Sequence, residues 1–334
     1  HGWDNRVKKR RVVVTDYTFL DVNREEAAAL AAGCSFESHQ CRSSKEVADA
    51  IRGADVAVVQ FAPVDSDAIA VMADNAALIR YGIGYDNIDV SAAIARNFPV
   101  GYVPDYCPDE VAEHTCASLL AQLRKLAGLD ASVRAGEWKA VAVAKPMKPF
   151  SETLVGFFGF GQIGKSVHAR LAAFGFRFAV ADPALSEQDA LDLNVTKLSA
   201  EELFRQADAV CLHAPANNAT VKYVNAERLA TMQSHAVLVN TSRGALIDET
   251  ALAEALNNGQ IAGAALDVFE SEPLPDSSPL RRAPGLLLSP HAAWYSEAAI
   301  GRLQTLVADD IANHLAGRPL RKPVPESVAH KTAQ

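Results

Sequence analysis

The sequence lacks both long apolar runs and an excess of basic residues. Nowhere in its 334 residues does an apolar stretch approach the roughly 18 residues that span a bilayer. Asp and Glu outnumber Lys and Arg by 40 to 32, and the net charge of −8 disfavours non-specific binding to nucleic acid. One basic cluster, at residues 6–11, precedes a strand pattern and is typical of a solvated surface. These absences predict a protein that binds neither membranes nor nucleic acid.

The sequence also has few cysteines, and none of the five stands in a Cys-x-x-Cys pattern. An odd number without that spacing argues against a disulfide framework and against a zinc site, so we predict no metal ligands. Most of these thiols are expected to be small buried side chains in a reducing compartment. We therefore expect a cytoplasmic protein.

What the sequence does contain is an ordinary globular composition, with 49% apolar and 22% charged residues. Its length suits about two domains. Short apolar runs rich in β-branched residues alternate with helical patterns, which is typical of parallel sheets with crossover helices. We expect one α/β unit up to about residues 104–108 and a second from residue 153 onward.

A glycine pattern opens the second unit. The apolar run at residues 154–158 suits one buried strand, and Gly159, Gly161 and Gly164 follow it as G-x-G-x-x-G before a helical pattern at residues 165–174. Strand, glycine turn and helix together predict a dinucleotide site, because the first helical N–H groups lack internal partners and bind phosphate. The alternative is a glycine-rich crossover without a ligand.

An acidic residue favours NAD as the dinucleotide. Asp182 ends the next strand pattern, close to the distance of about 20 residues past the glycines that is expected for the ribose-binding acid. A carboxylate there accepts hydrogen bonds from the ribose hydroxyls and would repel the 2′-phosphate of NADP. The position of Asp182 therefore favours a dinucleotide site over a glycine-rich crossover without a ligand.

A second glycine pair lies in the first unit. Gly82 and Gly84 follow a strand pattern at residues 78–81, and Arg80 stands beside them. Ligands of parallel sheets bind at the carboxyl ends of strands, where backbone N–H groups and a guanidinium can hold a carboxylate. A plain turn is the alternative.

Residues 128–150 show neither a helical nor a strand period. They nevertheless carry apolar side chains, which favours an arm that covers another subunit. A loop covering this same chain is the alternative.

Polar side chains follow the strand patterns of the second unit. Because the carboxyl ends of parallel strands lie at one edge of a sheet, we expect these side chains to converge. They are Asp182, His213, Thr241, Ser242, Arg243, Asp267 and His291.

Three residues near that edge suit the chemistry of hydride transfer. The planar fork of Arg243 can hold a carboxylate and a neighbouring carbonyl oxygen. Imidazole is the side-chain group best suited to act as a general acid or base near neutral pH, which makes His291 a candidate, and Glu272 beside it would stabilise its protonated form. Taken singly, each has a plain structural alternative: Arg243 capping a helix, His291 in a capped loop, and Glu272 paired with a surface arginine (Arg281 or Arg282).

Several linked strings resemble those of the D-isomer-specific 2-hydroxyacid dehydrogenase family. The strings are Gly-Phe-Gly-Gln-Ile-Gly164, Leu-His-Ala-Pro215, Val-Asn-Thr-Ser-Arg-Gly-Ala-Leu-Ile-Asp248, Ala-Leu-Asp-Val-Phe-Glu-Ser-Glu-Pro273, Ser-Pro-His291 and Gly82-Ile-Gly-Tyr-Asp-Asn-Ile-Asp89. The resemblance extends over nearly the whole chain. Within the family, His291-Ala-Ala-Trp-Tyr-Ser-Glu297 resembles the branch of the C-terminal-binding-protein corepressors.

The resemblance implies roles for individual residues. It makes Arg243 the substrate-binding residue, Glu272 the residue that tunes the histidine, and His291 the proton donor. The residues implied to bind cofactor are Ile83, Gly159, Gly161, Gln162, Ile163, Gly164, Asp182, His213, Ala214, Pro215, Thr220, Thr241, Ser242, Arg243, Asp267, His291 and Trp294. Those implied to bind substrate are Arg80, Ile83, Gly84, Arg243 and Trp294.

The resemblance also implies an architecture. It predicts two Rossmann-like or flavodoxin-like parallel-sheet domains with an interdomain cleft that closes on substrate. The substrate domain would comprise residues 1–106 and 298–334, and the NAD-binding domain residues 107–297. A homodimer formed through the NAD-binding domain is expected, with a tetramer as the alternative.

The function implied is an NAD-dependent oxidoreductase that interconverts a 2-keto acid and a D-2-hydroxy acid. The apolar ring of Trp294 beside His291 favours a keto acid with an apolar or thioether tail, and argues against formate or phosphite as the substrate. The alternative function is an NAD(H)-sensing, corepressor-like binding module with little turnover.

Overall fold

The computed structural model of the protein describes residues 9–327. The chain forms two compact units, which divide between residues 107 and 108 and again between 295 and 296. The predicted bounds differ from these by one and two residues. Residues 1–8 and 328–334, which the prediction assigned to the substrate domain, lie outside the described residues, as does the start of the basic cluster at residues 6–11.

The first unit contains a five-stranded parallel sheet of order β2-β1-β3-β4-β5. This is the flavodoxin-like order of doubly wound sheets. Its strands are β1 (Arg11–Val14), β2 (Ser35–Ser38), β3 (Val56–Val59), β4 (Ala77–Arg80) and β5 (Val100–Gly101). The helices between them are α1 (Asn23–Ala31), α2 (Ser44–Ile51), α3 (Ser66–Ala70) and α4 (Val90–Ala95). The central strands β3 and β4 are buried throughout, as expected of a parallel sheet with helices on both faces.

The second unit contains a seven-stranded parallel sheet of order β12-β11-β10-β9-β6-β7-β8. Counted from β6, this is the Rossmann order with one further strand. The strands are β6 (Leu154–Phe158), β7 (Arg177–Ala181), β8 (Thr196–Lys197), β9 (Ala209–Leu212), β10 (Val237–Asn240), β11 (Gly263–Leu266) and β12 (Leu286–Leu288). The order reverses between β6 and β9, where such sheets bind ligands at their carboxyl edge. The prediction of two parallel-sheet α/β domains is therefore confirmed.

Eight α-helices belong to the described part of the second unit, and four short 3₁₀ helices accompany them. The α-helices are α5 (Pro108–Leu123), α6 (Leu126–Arg134), α7 (Ala140–Ala144), α8 (Gln162–Leu171), α9 (Glu187–Asp192), α10 (Ala200–Gln206), α11 (Ala226–Thr231) and α12 (Glu249–Asn257). The 3₁₀ helices are Phe150–Glu152, Ala172–Phe174, Gly244–Leu246 and Pro279–Arg282.

The last helix, α13 (Glu297–Leu315), returns the chain to the first unit. It buries Leu303, Val307 and Ile311 at helical spacing. Its Gln304 donates from Nε2 to the carbonyl oxygen of Asp21 (2.8 Å). This helix therefore completes a domain whose sheet lies near the other end of the chain.

The sequence prediction differs from the structure in two segments of the chain. Strand β2 was not predicted, because Ser35–Ser38 is a polar edge strand with no fully buried residue. The segment at residues 128–150 was predicted to be irregular, but helices α6 and α7 occupy much of it. Neither helix buries a residue. Leu126, Leu129 and Val133 of α6 nevertheless recur at helical spacing, a signal that the sequence prediction overlooked.

Two further predictions concern the described residues as a whole. All five cysteines carry free thiols. In the part of the chain between residues 9 and 327, no helix combines the length and the apolar content needed to cross a membrane.

Candidate active site

The glycine turn after β6 has the shape of a phosphate cradle. Gly159 has a φ of +86°, and a Cβ on it would lie 2.6 Å from the Ala214 backbone nitrogen, so no other residue fits there. Gly161 precedes α8, and a Cβ on it would meet no atom within 4 Å. The first backbone N–H that donates within this helical turn is that of Lys165, and its acceptor is Gly161 O (3.0 Å). The N–H groups at residues 162–164, including those of Gln162 and Ile163, belong to the first turn of the helix and have no acceptor within it, which suits a pyrophosphate.

The carboxylate of Asp182 joins the end of β7 to this turn. Its Oδ2 accepts a hydrogen bond from the Phe160 N–H (2.6 Å), and its Oδ1 accepts one from the Ala184 N–H (2.8 Å). An ionised carboxylate has about four acceptor positions, so further acceptors remain for ribose hydroxyls. The backbone thus orients Asp182 at the place where the ribose of a dinucleotide is expected.

The loop after β9 closes the other side of the turn. The His213 ring stacks on Phe157 with centroids 6.1 Å apart, and burial lowers its pKa to about 4, so the imidazole is neutral at physiological pH. Thr220 donates from Oγ1 to Pro215 O (2.5 Å) and accepts from the Asn217 N–H (2.9 Å). His213 is therefore a packing partner beneath the turn, while Ala214 forms the backbone against which Gly159 lies.

The loop after β10 carries Arg243 and is organised by a buried amide. Asn240 is 0% exposed, and its Oδ1 accepts from the N–H (3.1 Å) and the hydroxyl (2.9 Å) of Ser242. Its Nδ2 donates to Arg243 O (2.9 Å), and the Arg243 guanidinium donates to Ser242 O (2.7 Å). Sequence reasoning did not single out Asn240, although a polar residue ending an otherwise apolar strand was the available signal.

Thr241, the first residue of that loop, is held from α5. Its hydroxyl lies 2.8 Å from the hydroxyl of Thr115, which in turn donates to Val111 O within the helix (2.7 Å). Because Thr115 has only one hydrogen to donate, Thr241 is the donor in the bond between them. The predicted cofactor residue Thr241 is thus oriented by a second threonine that sequence reasoning did not identify.

A second glycine brings two loops into contact. A Cβ on Gly244 would lie 2.0 Å from both the carbonyl carbon and the oxygen of Phe269. The backbone after Arg243 therefore packs directly on the loop that leads to Glu272. This close approach explains in physical terms why glycine follows the arginine.

A short hydrogen bond joins Glu272 to His291. Glu272 Oε2 lies 2.6 Å from His291 Nδ1, and Glu272 Oε1 accepts the Phe269 N–H (3.0 Å). Burial raises the pKa of Glu272, but the hydrogen bond and charge of His291, with a smaller contribution from the charge of Arg243, outweigh burial and lower it. The alternative partner Arg281 instead binds the carbonyl groups of residues 274 and 275.

The loop that presents His291 is held by Asp267, at the end of β11. Asp267 Oδ1 accepts from the Ser289 hydroxyl (2.6 Å) and the Ala292 N–H (2.8 Å), and Oδ2 accepts from the Ala293 N–H (2.9 Å). His291 itself has a φ of +50°, and its carbonyl oxygen accepts from Trp294 Nε1 (2.6 Å). Asp267, predicted to face the ribose and nicotinamide, therefore also shapes the loop of the histidine.

The predicted substrate residues Arg80, Ile83 and Gly84 belong to the first unit. Arg80 is buried at the end of β4, donates to Tyr81 O, and has its guanidinium carbon 5.4 Å from the centre of the Phe61 ring. Ile83 and Gly84 follow in a half-buried turn. Together these residues occupy the carboxyl edge of the first sheet.

A buried carboxylate shapes the neighbouring loop of the same unit. Asp16, which follows β1, accepts N–H hydrogen bonds at both oxygens from Gln60, Phe61 and Ala62 (2.7–3.1 Å). The loop after β3, including Phe61 beside Arg80, is therefore held in a defined shape.

Comparison with known proteins relates this arrangement to one family. Residues 116–293 match the family model of the D-isomer specific 2-hydroxyacid dehydrogenase NAD binding domain. The chain is 34% identical over 273 residues to a glyoxylate reductase of Korarchaeum cryptofilum, covering 80% of this chain and 82% of that protein. It is 37% identical over 269 residues to a D-3-phosphoglycerate dehydrogenase of Mycobacterium leprae, covering 80% of this chain but only 50% of that longer protein.

A solved structure agrees with the sequence comparisons. The TT0316 protein of Thermus thermophilus superposes with a TM-score of 0.82 at 31% identity, covering 94% of this chain and 99% of that one. The sequence similarity and the structural similarity therefore each include residues of both units.

Proposed function

This chain belongs to the family of D-isomer specific 2-hydroxyacid dehydrogenases, which are NAD-dependent oxidoreductases, and we propose that Arg243, Glu272 and His291 carry the reaction in it. The reaction interconverts a 2-keto acid and a D-2-hydroxy acid. The observation that carries the proposal is the 2.6 Å contact of Glu272 with His291, in the same unit as the glycine turn. The contact pairs His291, the proposed general acid, with the Glu272 carboxylate that would support it, and Arg243 supplies a positive charge nearby.

His291 would act as the proton donor to the keto oxygen. Because Glu272 accepts from Nδ1, Nε2 is the ring atom that carries the transferable proton. NADH, held by the glycine turn and Asp182, would supply the hydride for this reduction. Arg243 would hold the substrate carboxylate through its guanidinium fork, and its charge would polarise the carbonyl as negative charge develops on oxygen.

NAD is the cofactor of this family, and Asp182 supports NAD over NADP in this chain. Its carboxylate is fixed beside the glycine turn by two backbone N–H groups, where a 2′-phosphate would meet negative charge. We propose that the remaining predicted cofactor residues bind as assigned from the resemblance. We propose that substrate binds to Arg80, Ile83, Gly84 and Trp294. The interdomain cleft that the resemblance implies stays a prediction.

The decisive experiment is a panel of 2-keto acids with NADH and NADPH, followed at the nicotinamide absorbance. We expect reduction with NADH, and we expect His291→Gln to lower kcat by at least about a thousandfold because the proton donor is lost. NADH should still bind the variant, as measured by fluorescence. Unchanged turnover in the variant, or no reduction of any keto acid by the native protein, would contradict the proposal.

The contact of Glu272 with His291 and the nearby charge of Arg243 support the enzyme over the NAD(H)-sensing module. A sensing module requires a dinucleotide site and a change of assembly, but it has no need of the short Glu272–His291 contact. The resemblance to the corepressor branch stays a prediction.

We also propose a cytoplasmic homodimer formed through the NAD-binding domain. Helices α6 and α7 and the turn between them expose large apolar side chains, with Trp138 90% and Val141 74% exposed. The free thiols are consistent with a reducing compartment. Light scattering should give twice the chain mass, and a Trp138→Glu, Val141→Glu double variant should give the monomer. A native monomer would contradict the assignment.

A further inference from the structure

A chain of hydrogen bonds runs from helix α5 to the loop of His291. His114 Nε2 lies 3.1 Å from Ser289 Oγ, Ser289 Oγ lies 2.6 Å from Asp267 Oδ1, and Asp267 accepts the N–H groups of that loop. His114 and Asp267 approach each other to 3.9 Å. The resemblance of the sequence to its family assigned no role to His114.

The direction of each bond follows from its donors and acceptors. The ionised carboxylate of Asp267 can only accept, so Ser289 donates its single hydroxyl hydrogen to it. Ser289 must then accept from His114, which places a proton on Nε2 of that ring. His114 is therefore a donor at the far end of a fully directed chain.

This series of hydrogen bonds holds the backbone around His291 in position. The His291 N–H donates to Asp267 O (2.9 Å) and Ser289 O (3.0 Å), so both residues of the chain also hold the catalytic residue through main-chain bonds. His291 sits at a φ of +50°, a conformation that non-glycine residues adopt only when the surroundings impose it. A donor that fixes Ser289 and Asp267 therefore also fixes His291.

The next residue of the helix makes a matching contact to the other catalytic loop. Thr115 bonds Thr241 (2.8 Å), two residues before Arg243. Helix α5 thus contacts the loop of the arginine and the loop of the histidine through adjacent side chains. The two loops are held by one rigid element.

We propose that His114 is a positioning residue for the proton donor, acting on His291 through Ser289 and Asp267. This inference rests on the proposed function, in which His291 transfers the proton. His114 fixes the ring of His291 relative to Glu272 and to the substrate carbonyl, and misplacement of a reacting group by about 1 Å can cost up to a hundredfold in rate. The His114 side chain is 31% exposed, so its replacement should leave the fold largely intact.

The test compares His114→Leu, which removes the donor, with His114→Gln, whose side-chain amide can donate at similar reach. His114→Leu should lower kcat about tenfold, with the KM for NADH and the melting temperature near native values. His114→Gln should restore kcat to within about twofold. Glu113→Gln, at the neighbouring exposed position of α5, is the matched control and should behave as the native protein.

Ser289→Ala breaks the same chain at its next residue, so a double-mutant cycle tests the route. The His114→Leu, Ser289→Ala double variant should be no slower than the slower single variant, because both changes interrupt one chain. If the loss of kcat in the double variant equalled the product of the two single losses, the proposal would be overturned. Native kcat in His114→Leu, or an equal loss of kcat in the leucine and glutamine variants, would also overturn it.

A second readout does not depend on turnover. The proton of His291 Nδ1 bonded to Glu272 should give a downfield resonance, assigned by its absence in His291→Gln. It should shift in His114→Leu and return in His114→Gln. If the native protein reduces no keto acid, the proposed function fails, but a shifted resonance would still support the positioning role and an unshifted one would overturn it.

Discussion

The glycine turn proposed to bind the cofactor and the loops proposed to carry the reaction occupy the same sheet edge of the second unit but are built differently. The turn is one run of sequence, Gly159 to Gly164, and its binding groups are backbone N–H groups at the start of α8. The proposed catalytic set joins three loops, at residues 240–244, 267–272 and 289–294, through side-chain hydrogen bonds and one close backbone contact. The glycine turn depends on the conformations of residues that are neighbours in sequence, whereas the three loops depend on contacts between residues far apart in sequence. A substitution in one of these features should therefore impair that feature and leave the other intact.

The largest effect is expected from Gly244→Ala. The added Cβ would lie 2.0 Å from Phe269, so the loop of Glu272 must move. We expect kcat to fall at least about a hundredfold, while the affinity for NADH stays near native because the glycine turn is untouched. Turnover and fluorescence titration measure the two quantities.

Gly128→Ala on α6 is the matched control, since a Cβ there would lie 3.7 Å from its nearest neighbour, an ordinary contact. It should leave both quantities unchanged. A Gly244→Ala enzyme of native kcat would show that the two loops need not touch.

The converse change is Gly159→Ala, which should weaken the cofactor site and spare the catalytic contact. Its Cβ would lie 2.6 Å from Ala214 N at a φ of +86°. We expect the Kd for NADH to rise at least about tenfold, from clash and backbone strain together.

Gly175→Ala is the matched control, because Gly175 shares the left-handed conformation (φ +80°) but lies outside the glycine turn and has nothing within 4 Å of its Cβ position. Native NADH affinity is expected there. If both alanine variants bind NADH equally well, the close approach of Gly159 to Ala214 has no part in cofactor binding.

The smallest effect concerns the pH dependence of the Glu272–His291 contact. Burial raises the pKa of Glu272, but the hydrogen bond and charge of His291, the Phe269 N–H and the charge of Arg243 together outweigh burial and hold the pKa below its ordinary value of 4.5. A depressed carboxyl pKa contributes stability above the unfolded value, and this is lost as the pH falls through the folded pKa. Glu272→Gln should therefore melt earlier than the native protein near pH 7, with a difference that shrinks below about pH 4.5.

The exposed carboxylate of Glu201, on α10, provides the control for that measurement. Glu201→Gln should show no such pH-dependent difference. A Glu272→Gln deficit that stayed constant from pH 7 to below pH 4 would mean that the carboxylate charge does not stabilise the fold.

Much of the fold could be predicted because its signals are local. Alternating strands and helices indicated the two parallel-sheet domains, and the linked strings indicated the family. The errors fall on elements without a buried face: β2 is a polar edge strand, and α6 and α7 bury no residue. The polar β2 lacks the period of a half-buried strand, whereas the helical spacing of Leu126, Leu129 and Val133 in α6 was present in the sequence and was overlooked.

The sequence by itself determined the class of the protein, its cofactor turn and the residue types needed for hydride transfer. Their arrangement was decided only by the tertiary structure: Asn240 folding the loop of Arg243, Asp267 holding the loop of His291, and His114 reaching Ser289 across 175 residues of chain. The physical reason is that a glycine turn is specified by the conformations its own residues can adopt. A hydrogen bond between distant loops is specified by the sheet that brings their strand ends to one edge.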